Sequence, residues 1–482
     1  MDRKQNYLKP EFRKKILLLS DDLRFYSGIA TMSKEIVYGT AHRFNWVQIG
    51  AAVRHPDFGK IIDASEEVNR ETGLTDANVK IIPNNGYGNI VLLRQVIARE
   101  KPDAVFIFTD PRYWIWLFNA EREIRSQVPI IYLNIWDDLP YPMWNKPYYE
   151  SCDGLLAISK QTYNINVQVL GDKINEHIVR YVPHGVSSKF YPIEDSTNME
   201  EYNNFRQNLR GDKDFVLLYN SRNIGRKRAG DLILAWRHFC DLIGKDKAQR
   251  CKLLMHTDIV DNAGTDLGAV FRDLCDPSYV HVQFSSQKFD TEHMNYMYNA
   301  SDGVILISSN EGWGLALTEA LNTGKMFIAT VTGGMQDQMR FQDNNGKWIS
   351  FSKRFPSNHT GIFKDCGEWA IPVFPSNRAL CGSPSTPYIY DDRVTIEDTA
   401  AAILELYNLS TAERKRRGML GYEWATSDEA GFTTECMCER IIEGIEATFE
   451  HFHPRVRYTF EEVKDRPSNY IDYNPVEYTY EE

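Results

Sequence analysis

One unit recurs along this chain and limits what it can fold into: a short apolar run rich in β-branched and aromatic residues, then polar turn-forming residues, then a helical stretch. KILLLS, DAVFIFT, VPIIYLNIW, GLLAIS and IVRYVP carry it first, and FVLLYNS, CKLLMHT, YVHVQFS, GVILIS and MFIAT carry it again. Such runs alternating with amphipathic helices mark βαβ units and parallel sheets, because helices on both faces bury the strands. Between the two series lies IEDSTNMEEYNNFRQNLRGDKD, polar and charged, with room for one helix. At 482 residues the chain is too long for one ordinary core, so two α/β domains sharing a cleft are the simplest architecture. The boundaries read as a first domain over 1–193, a linker over 194–212, a second domain over 213–435, and a terminal helix and tail over 436–482 that crosses back to the first domain. Residues 341–395, rich in Pro, Ser and Asn, read as an elaborated loop region of the second domain.

Composition narrows the function. With 43% hydrophobic and 12% aromatic residues, most of the chain must fold. No apolar run approaches the roughly 18–20 residues a membrane span needs, and MDRKQNYLKPEFRKK has basic residues with no apolar stretch behind them. No integral membrane segment and a cytoplasmic location are therefore expected, the host-cell cytoplasm if the chain is phage-encoded. A net charge of −11 argues against a protein that simply coats a polyanion. The eight cysteines are scattered, and the close pair Cys436 and Cys438 has neither zinc nor redox spacing, which suits reduced thiols.

The chemistry concentrates in SSNEGWGLALTE, residues 308–319. A glycine inside a helix costs about 1 kcal/mol against alanine, so Gly312 and Gly314 near a helix start call for a reason. The reading is a loop at the carboxyl end of the strand GVILIS, followed by a helix closed by Gly324. Ligands bind at such strand ends, and free N–H groups at a helix start suit an anion. The glycines would let a phosphate or sugar approach the backbone of Trp313, Gly314 and Leu315. Glu311 then projects from the loop rim, and Glu319 lies roughly 6 Å further along the axis. In FVLLYNSRNIGRKRAGDL, Arg222 and Lys227 flank a strand-to-helix turn and are suited to a diphosphate, one as a planar fork and the other as a point charge. Near the N-terminus a strand leads into a loop ending in Ser27 and Gly28.

Together these stretches resemble the retaining nucleotide-sugar glycosyltransferases of glycosyltransferase family 4, which have the GT-B fold. SDGVILISSNEGWGLALTEALNTG is similar to the signature of that family's second domain, SRNIGRKR to its arginine-to-lysine diphosphate motif, RYVPHGVSSKFYP to the segment closing its first domain, and VTGGMQDQM to its Gly-Gly turn. The resemblance runs, with gaps, from about residue 14 to about 450. It implies an α/β GT-B fold of two Rossmann-like parallel-sheet domains facing a cleft. It implies a retaining, metal-independent hexosyl or pentosyl transfer from a nucleotide-diphosphate sugar, UDP-sugar favoured, with no cofactor besides that donor. Glu319 would bind the ribose hydroxyls, Arg222 and Lys227 would neutralise the departing diphosphate, and Glu311 with the backbone from Gly312 to Leu315 would hold the sugar. Ser27 and Gly28 would lie near the phosphates from the facing domain. The chain departs from the pattern at Met326, where proline is common, at Arg228, where glycine is frequent, and in having one glycine in the N-terminal loop. A first-domain histidine that often contacts the sugar has no clear counterpart in IIYLNIWDDLPYP, where Asn134, Trp136 or Asp137 takes its place. His184, in VPHGV, is a further candidate contact to the sugar or acceptor and is otherwise expected to cap or pack near the interdomain hinge.

Other readings stay open on the residues alone. A sugar-nucleotide epimerase or phosphorylase, or a non-catalytic sugar-nucleotide-binding protein, would use the same scaffold. The acceptor is a glycan or carbohydrate, or else a hydroxymethylated base in phage DNA, since SDDLRFYSGIATMSKEI and GGMQDQM resemble glycosyltransferase homologues of large tailed phages. DPRYWIWLF and WDDLPYPMWNKPYYE are suited to stack sugar rings or bases. A strongly positive groove would point to DNA and a neutral aromatic one to a glycan. The acid pairs Asp21-Asp22, Asp137-Asp138 and Asp391-Asp392 read as caps or loop acids, not metal ligands.

Overall fold

The computed structural model describes residues 7–194, 199–350, 358 and 361–456; the acidic tyrosine-rich tail lies outside them. The first domain holds strands β1 (Lys14–Asp21), β2 (Phe44–Ala52), β3 (Ile62–Asp63), β4 (Val79–Asn85), β5 (Ala104–Phe108), β6 (Ile130–Asn134), β7 (Gly154–Ala157) and β8 (Ile178–Tyr181). They form one sheet in the order β3-β4-β2-β1-β5-β6-β7-β8, parallel except where β3 meets β4. The apolar runs become its buried centre: Ile16 to Leu19 and Ala104 to Phe108 are at most 1% exposed. Strand β2 escapes an apolar-run reading because Asn45 and Gln48 interrupt it. Gln48 is nonetheless buried, its amide donating to Ser20 Oγ at 2.8 Å and to the Asp21 carbonyl at 2.7 Å, so the polar group keeps its hydrogen bonds.

The second domain repeats the plan with β9 (Phe215–Asn220), β10 (Cys251–His256), β11 (Val282–Ser285), β12 (Gly303–Leu306), β13 (Phe327–Thr330) and β14 (Ala370–Val373), all parallel in the order β11-β10-β9-β12-β13-β14. Among the parallel strands of each sheet the order reverses once, between β1 and β5 and between β9 and β12. Loops at the carboxyl ends of strands flanking such a reversal diverge and leave a crevice where ligands bind. The loops after β1, β5, β9 and β12 are therefore where a site is expected.

A helix, Glu200–Arg210, follows the first domain, and the chain returns through the helix Thr434–His451. That return helix packs on the first-domain helix Gly28–Thr40, where Thr434 Oγ1 donates to Glu35 at 2.9 Å, and on β7 and β8. Its entry is a parallel bridge between Val186 and Thr433, made possible by Gly185: a Cβ there would lie 2.0 Å from the Thr433 carbonyl oxygen. Gly185→Ala should cost about 3 kcal/mol, because backbone gives way less readily than a side chain. A thermal midpoint equal to wild type by circular dichroism would show that the crossing relaxes freely. No helix among the described residues is long and apolar enough to cross a membrane.

The described residues of 341–395 include regular strands, not only irregular loop. Besides β14 they contain an antiparallel hairpin, β15 (Asn377–Ser383) and β16 (Thr386–Arg393). Its sequence, NRALCGSPSTPYIYDDR, lacks an apolar run because the hairpin is half-buried and leans on the other domain instead of a sheet. The Tyr390 N–H donates to the Leu139 carbonyl, Tyr388 sets its ring edge against Trp144 at 4.3 Å, and Arg112 reaches Thr386.

Candidate active site

The loop after β9 tightens into a 3-10 turn, Gly225–Lys227, and Arg228 takes a left-handed conformation (φ 54°) before the helix Ala229–Ile243. This turn drives Lys227 inward, 8% exposed, where its Nζ pairs with Glu311 Oε2 from the loop after β12. Arg226 approaches the same oxygen at 3.4 Å and donates to the Asn310 carbonyl at 2.7 Å, while Ser308 Oγ donates to Glu311 at 3.2 Å. Burial alone would raise the Glu311 carboxyl, but Lys227 and then Arg226 outweigh it and hold it below the ordinary range. Glu311 is thus an ionised, buried carboxylate at the reversal point of the second sheet.

The glycines here act as clearance. A Cβ on Gly333 would lie 2.0 Å from the Glu311 carbonyl, and Gly333 has φ 52°, so the Gly-Gly turn after β13 seats against the loop. A Cβ on Gly312 would lie 3.1 Å from the Ile135 carbonyl of the first domain. Gly314, at φ 86°, opens the helix Leu315–Asn322, and Leu315 faces Gly28 across the cleft, 3.8 Å from a Cβ built there. Ser27 caps its own helix by accepting from the Ala30 N–H at 3.0 Å and donates to Asp21 at 2.6 Å. The Trp313 side chain is core: its indole N–H donates to Thr318 at 2.8 Å and its ring packs on Phe432.

Glu319 lies further along that helix. The Tyr298 hydroxyl and the Asn220 amide both donate to its Oε2, and burial nonetheless raises its carboxyl to about 7. Arg222 is 68% exposed, its guanidinium held by Asp261 at 2.8 Å, so the cation beside Glu311 and Lys227 is Arg226. The run of three cations, Arg226 to Arg228, was the available sequence signal for it. Asn134 stays inside the first domain, its oxygen accepting from the Trp136 N–H at 2.9 Å and its amide donating to Asn166 at 2.6 Å. Trp136 is buried, its indole donating to the Asp138 carbonyl at 3.1 Å. His184 is buried between Phe108 and Trp313, and burial pushes it down to about 3, which keeps it neutral.

Asp137 faces the charges of this cluster from the first domain. Burial raises its carboxyl to about 6, with Arg226 pulling it down and Glu311 pushing it up. Asp138 is raised well above the ordinary range by burial and then by Asp137. The other acid pairs are engaged elsewhere: Asp22 with Arg24 and His55, Asp391 with Arg228 and Arg393, and Asp392 with Arg378 and Thr332. Among the described residues no group of three or more His, Cys, Asp or Glu is arranged to hold a metal ion.

Residues 277–353 match the family model for Glycosyl transferases group 1, a stretch containing Glu311, Glu319 and the Gly-Gly turn but not Arg226 or Lys227. No curated protein matches the chain. Solved structures do match over both domains. Alr3699/HepE from Anabaena, solved with UDP and glucose, is 14% identical, with 90% of this chain and all of that one covered at a TM-score of 0.61. The sucrose-phosphate synthase of Thermosynechococcus elongatus is 14% identical, with 91% and 100% covered at 0.61. An alpha,alpha-trehalose-phosphate synthase (UDP-forming) from Burkholderia xenovorans is 9% identical, with 90% and 100% covered at 0.59. The fold is GT-B. At these identities the likeness fixes architecture, and chemistry must be argued from the residues.

Proposed function

We propose that this chain is a retaining, metal-independent glycosyltransferase that moves a sugar from a nucleotide-diphosphate sugar to an acceptor hydroxyl. The observation that carries this is the Lys227, Arg226 and Glu311 cluster at the reversal point of the second sheet, beside a helix start and followed by Glu319. In the step, the bond from the anomeric carbon to the diphosphate oxygen breaks, the acceptor oxygen bonds to that carbon on the same face, and its proton passes to the leaving phosphate. Negative charge grows on the diphosphate, and fixed cations with helix N–H groups stabilise it most as the bond breaks. Glu311 would bind the sugar hydroxyls and Glu319 the ribose. Two cations already supply what a divalent ion would, which supports metal independence.

A UDP-sugar is the first donor to try, since HepE was solved with UDP and glucose. Incubating the protein with UDP-, GDP- and ADP-sugars should release nucleoside diphosphate slowly from one of them, undiminished in excess EDTA. Interconversion of the sugar without release would identify an epimerase, binding without turnover a sugar-nucleotide sensor, and a loss that Mg²⁺ reverses would overturn metal independence.

A further inference from the structure

The donor cluster uses the reversal point of the second sheet, and at that of the first, between β1 and β5, the aromatic residues beyond Ser27 and Gly28 have no assigned role. There Tyr113, in the turn after β5, stacks on Tyr87 with ring centroids 4.3 Å apart and planes 20° from parallel. Tyr87 is held by its hydroxyl donating to Asp21 at 2.6 Å and by the edge of the buried Trp114 at 5.3 Å. Tyr113 is 50% exposed, so a ring held in place on one side is open on the other. Asp21 also accepts from Ser27, and Gly28 next to it faces Leu315 at the donor loop, so the platform is continuous with the cleft.

Charge around this platform is balanced. Residues 21–27, 53–61, 86–89 and 109–116, the loops at the carboxyl ends of β1, β2, β4 and β5, hold four acids and four cations. Three of those cations are spent on carboxylates: Arg24 on Asp22 and Asp57, Lys60 on Asp57, and Arg112 on Asp110. The neighbouring loop after β6 adds Asp137 and Asp138 and no cation up to residue 145. A DNA backbone needs several unspent cations in a row, whereas a sugar ring needs an exposed aromatic face with hydrogen-bonding groups at its edge.

We propose, on the glycosyltransferase reading above, that the acceptor is a neutral saccharide whose ring stacks on the open face of Tyr113. The platform is pre-ordered by Tyr87 and Asp21, so stacking orders little that was mobile.

The test uses the full chain and the donor found in the screen, with neutral di- and trisaccharides and a duplex containing 5-hydroxymethylcytosine as acceptor probes. At least one saccharide should be glycosylated, with a KM that changes little with salt. Tyr113→Ala should raise that KM about tenfold with a much smaller change in kcat, and Tyr113→Phe should restore it, with circular dichroism matching wild type in both. Transfer to the duplex alone, transfer to none of the saccharides, or an unchanged saccharide KM in Tyr113→Ala would overturn the proposal. Absence of donor hydrolysis by the wild-type protein would instead remove the glycosyltransferase reading on which it rests.

Discussion

Lys227→Met should lower kcat at saturating donor by about 100-fold or more, the usual effect of removing one preorganised donor from a developing negative charge. It should also destabilise the fold, because Glu311 would stay buried without its closest cation. Breaking a buried ion pair from one side typically costs about 3–5 kcal/mol. The low end applies here, since Arg226 at 3.4 Å and Ser308 at 3.2 Å still face the carboxylate. The two effects separate in the double variant Lys227→Met with Glu311→Gln. Removing both charges should recover most of the thermal midpoint, since no buried charge is left unpaired, while turnover stays low because neither the cation nor the sugar-binding carboxylate returns. Nucleotide release and thermal unfolding measure the two readouts. Wild-type turnover in Lys227→Met would rule out a leaving-group role, and a double variant no more stable than the single would mean that the pair is not a closed unit.

Glu319 carries the second large effect, with opposite signs for stability and binding. Its folded carboxyl titrates at about 7 against an ordinary 4.5, so between those values the folded protein holds a proton that the unfolded chain has lost. Its contribution to stability therefore falls as pH rises from about 4.5 to about 7, and is flat beyond. Glu319→Gln removes that penalty and should be more stable than wild type at pH 8 by about 1–2 kcal/mol, a figure reduced for the partial solvent access of the side chain, with the gap closing toward pH 4.5. Donor binding runs the other way. The ionised carboxylate accepts from ribose hydroxyls, so affinity should rise as pH passes through about 7. In Glu319→Gln it should be about 10- to 100-fold weaker at pH 8, as expected for losing hydrogen bonds to a charged group. Calorimetric titration with the nucleoside diphosphate at pH 6 and 8 tests this, and the ligand's own phosphate titration cancels in the ratio of the two proteins. Equal affinities at pH 8 would dismiss the ribose assignment.

The helix return from Thr434 to His451 and the hairpin Asn377–Arg393 show why parts of the fold were legible and others not. The return helix carries its own amphipathic pattern. The hairpin has no such period, because part of its burial comes from Leu139, Trp144 and Arg112, more than 200 residues away in the chain. Strand β2 was hidden for a related reason, since the partners that satisfy Gln48 lie on β1.

The candidate site divides the same way. Strand period, glycine clearance at Gly312 and Gly314, and the spacing from Glu311 to Glu319 are local properties of a few turns of chain, set by backbone sterics and helix geometry, and they stand in the residue order itself. Which cation meets Glu311 is not local: Asp261, 39 residues from Arg222, holds that guanidinium outward, while a 3-10 turn buries Lys227 and lets the half-exposed Arg226 reach the same carboxylate. Likewise burial raises the Glu319 carboxyl to about 7 against the hydrogen bonds from Tyr298 and Asn220, and burial raises Asp137 to about 6, with Arg226 of the opposite domain lowering it and Glu311 raising it. Charge state and pairing depend on distance through space and on the exclusion of water, and both exist only in the folded chain.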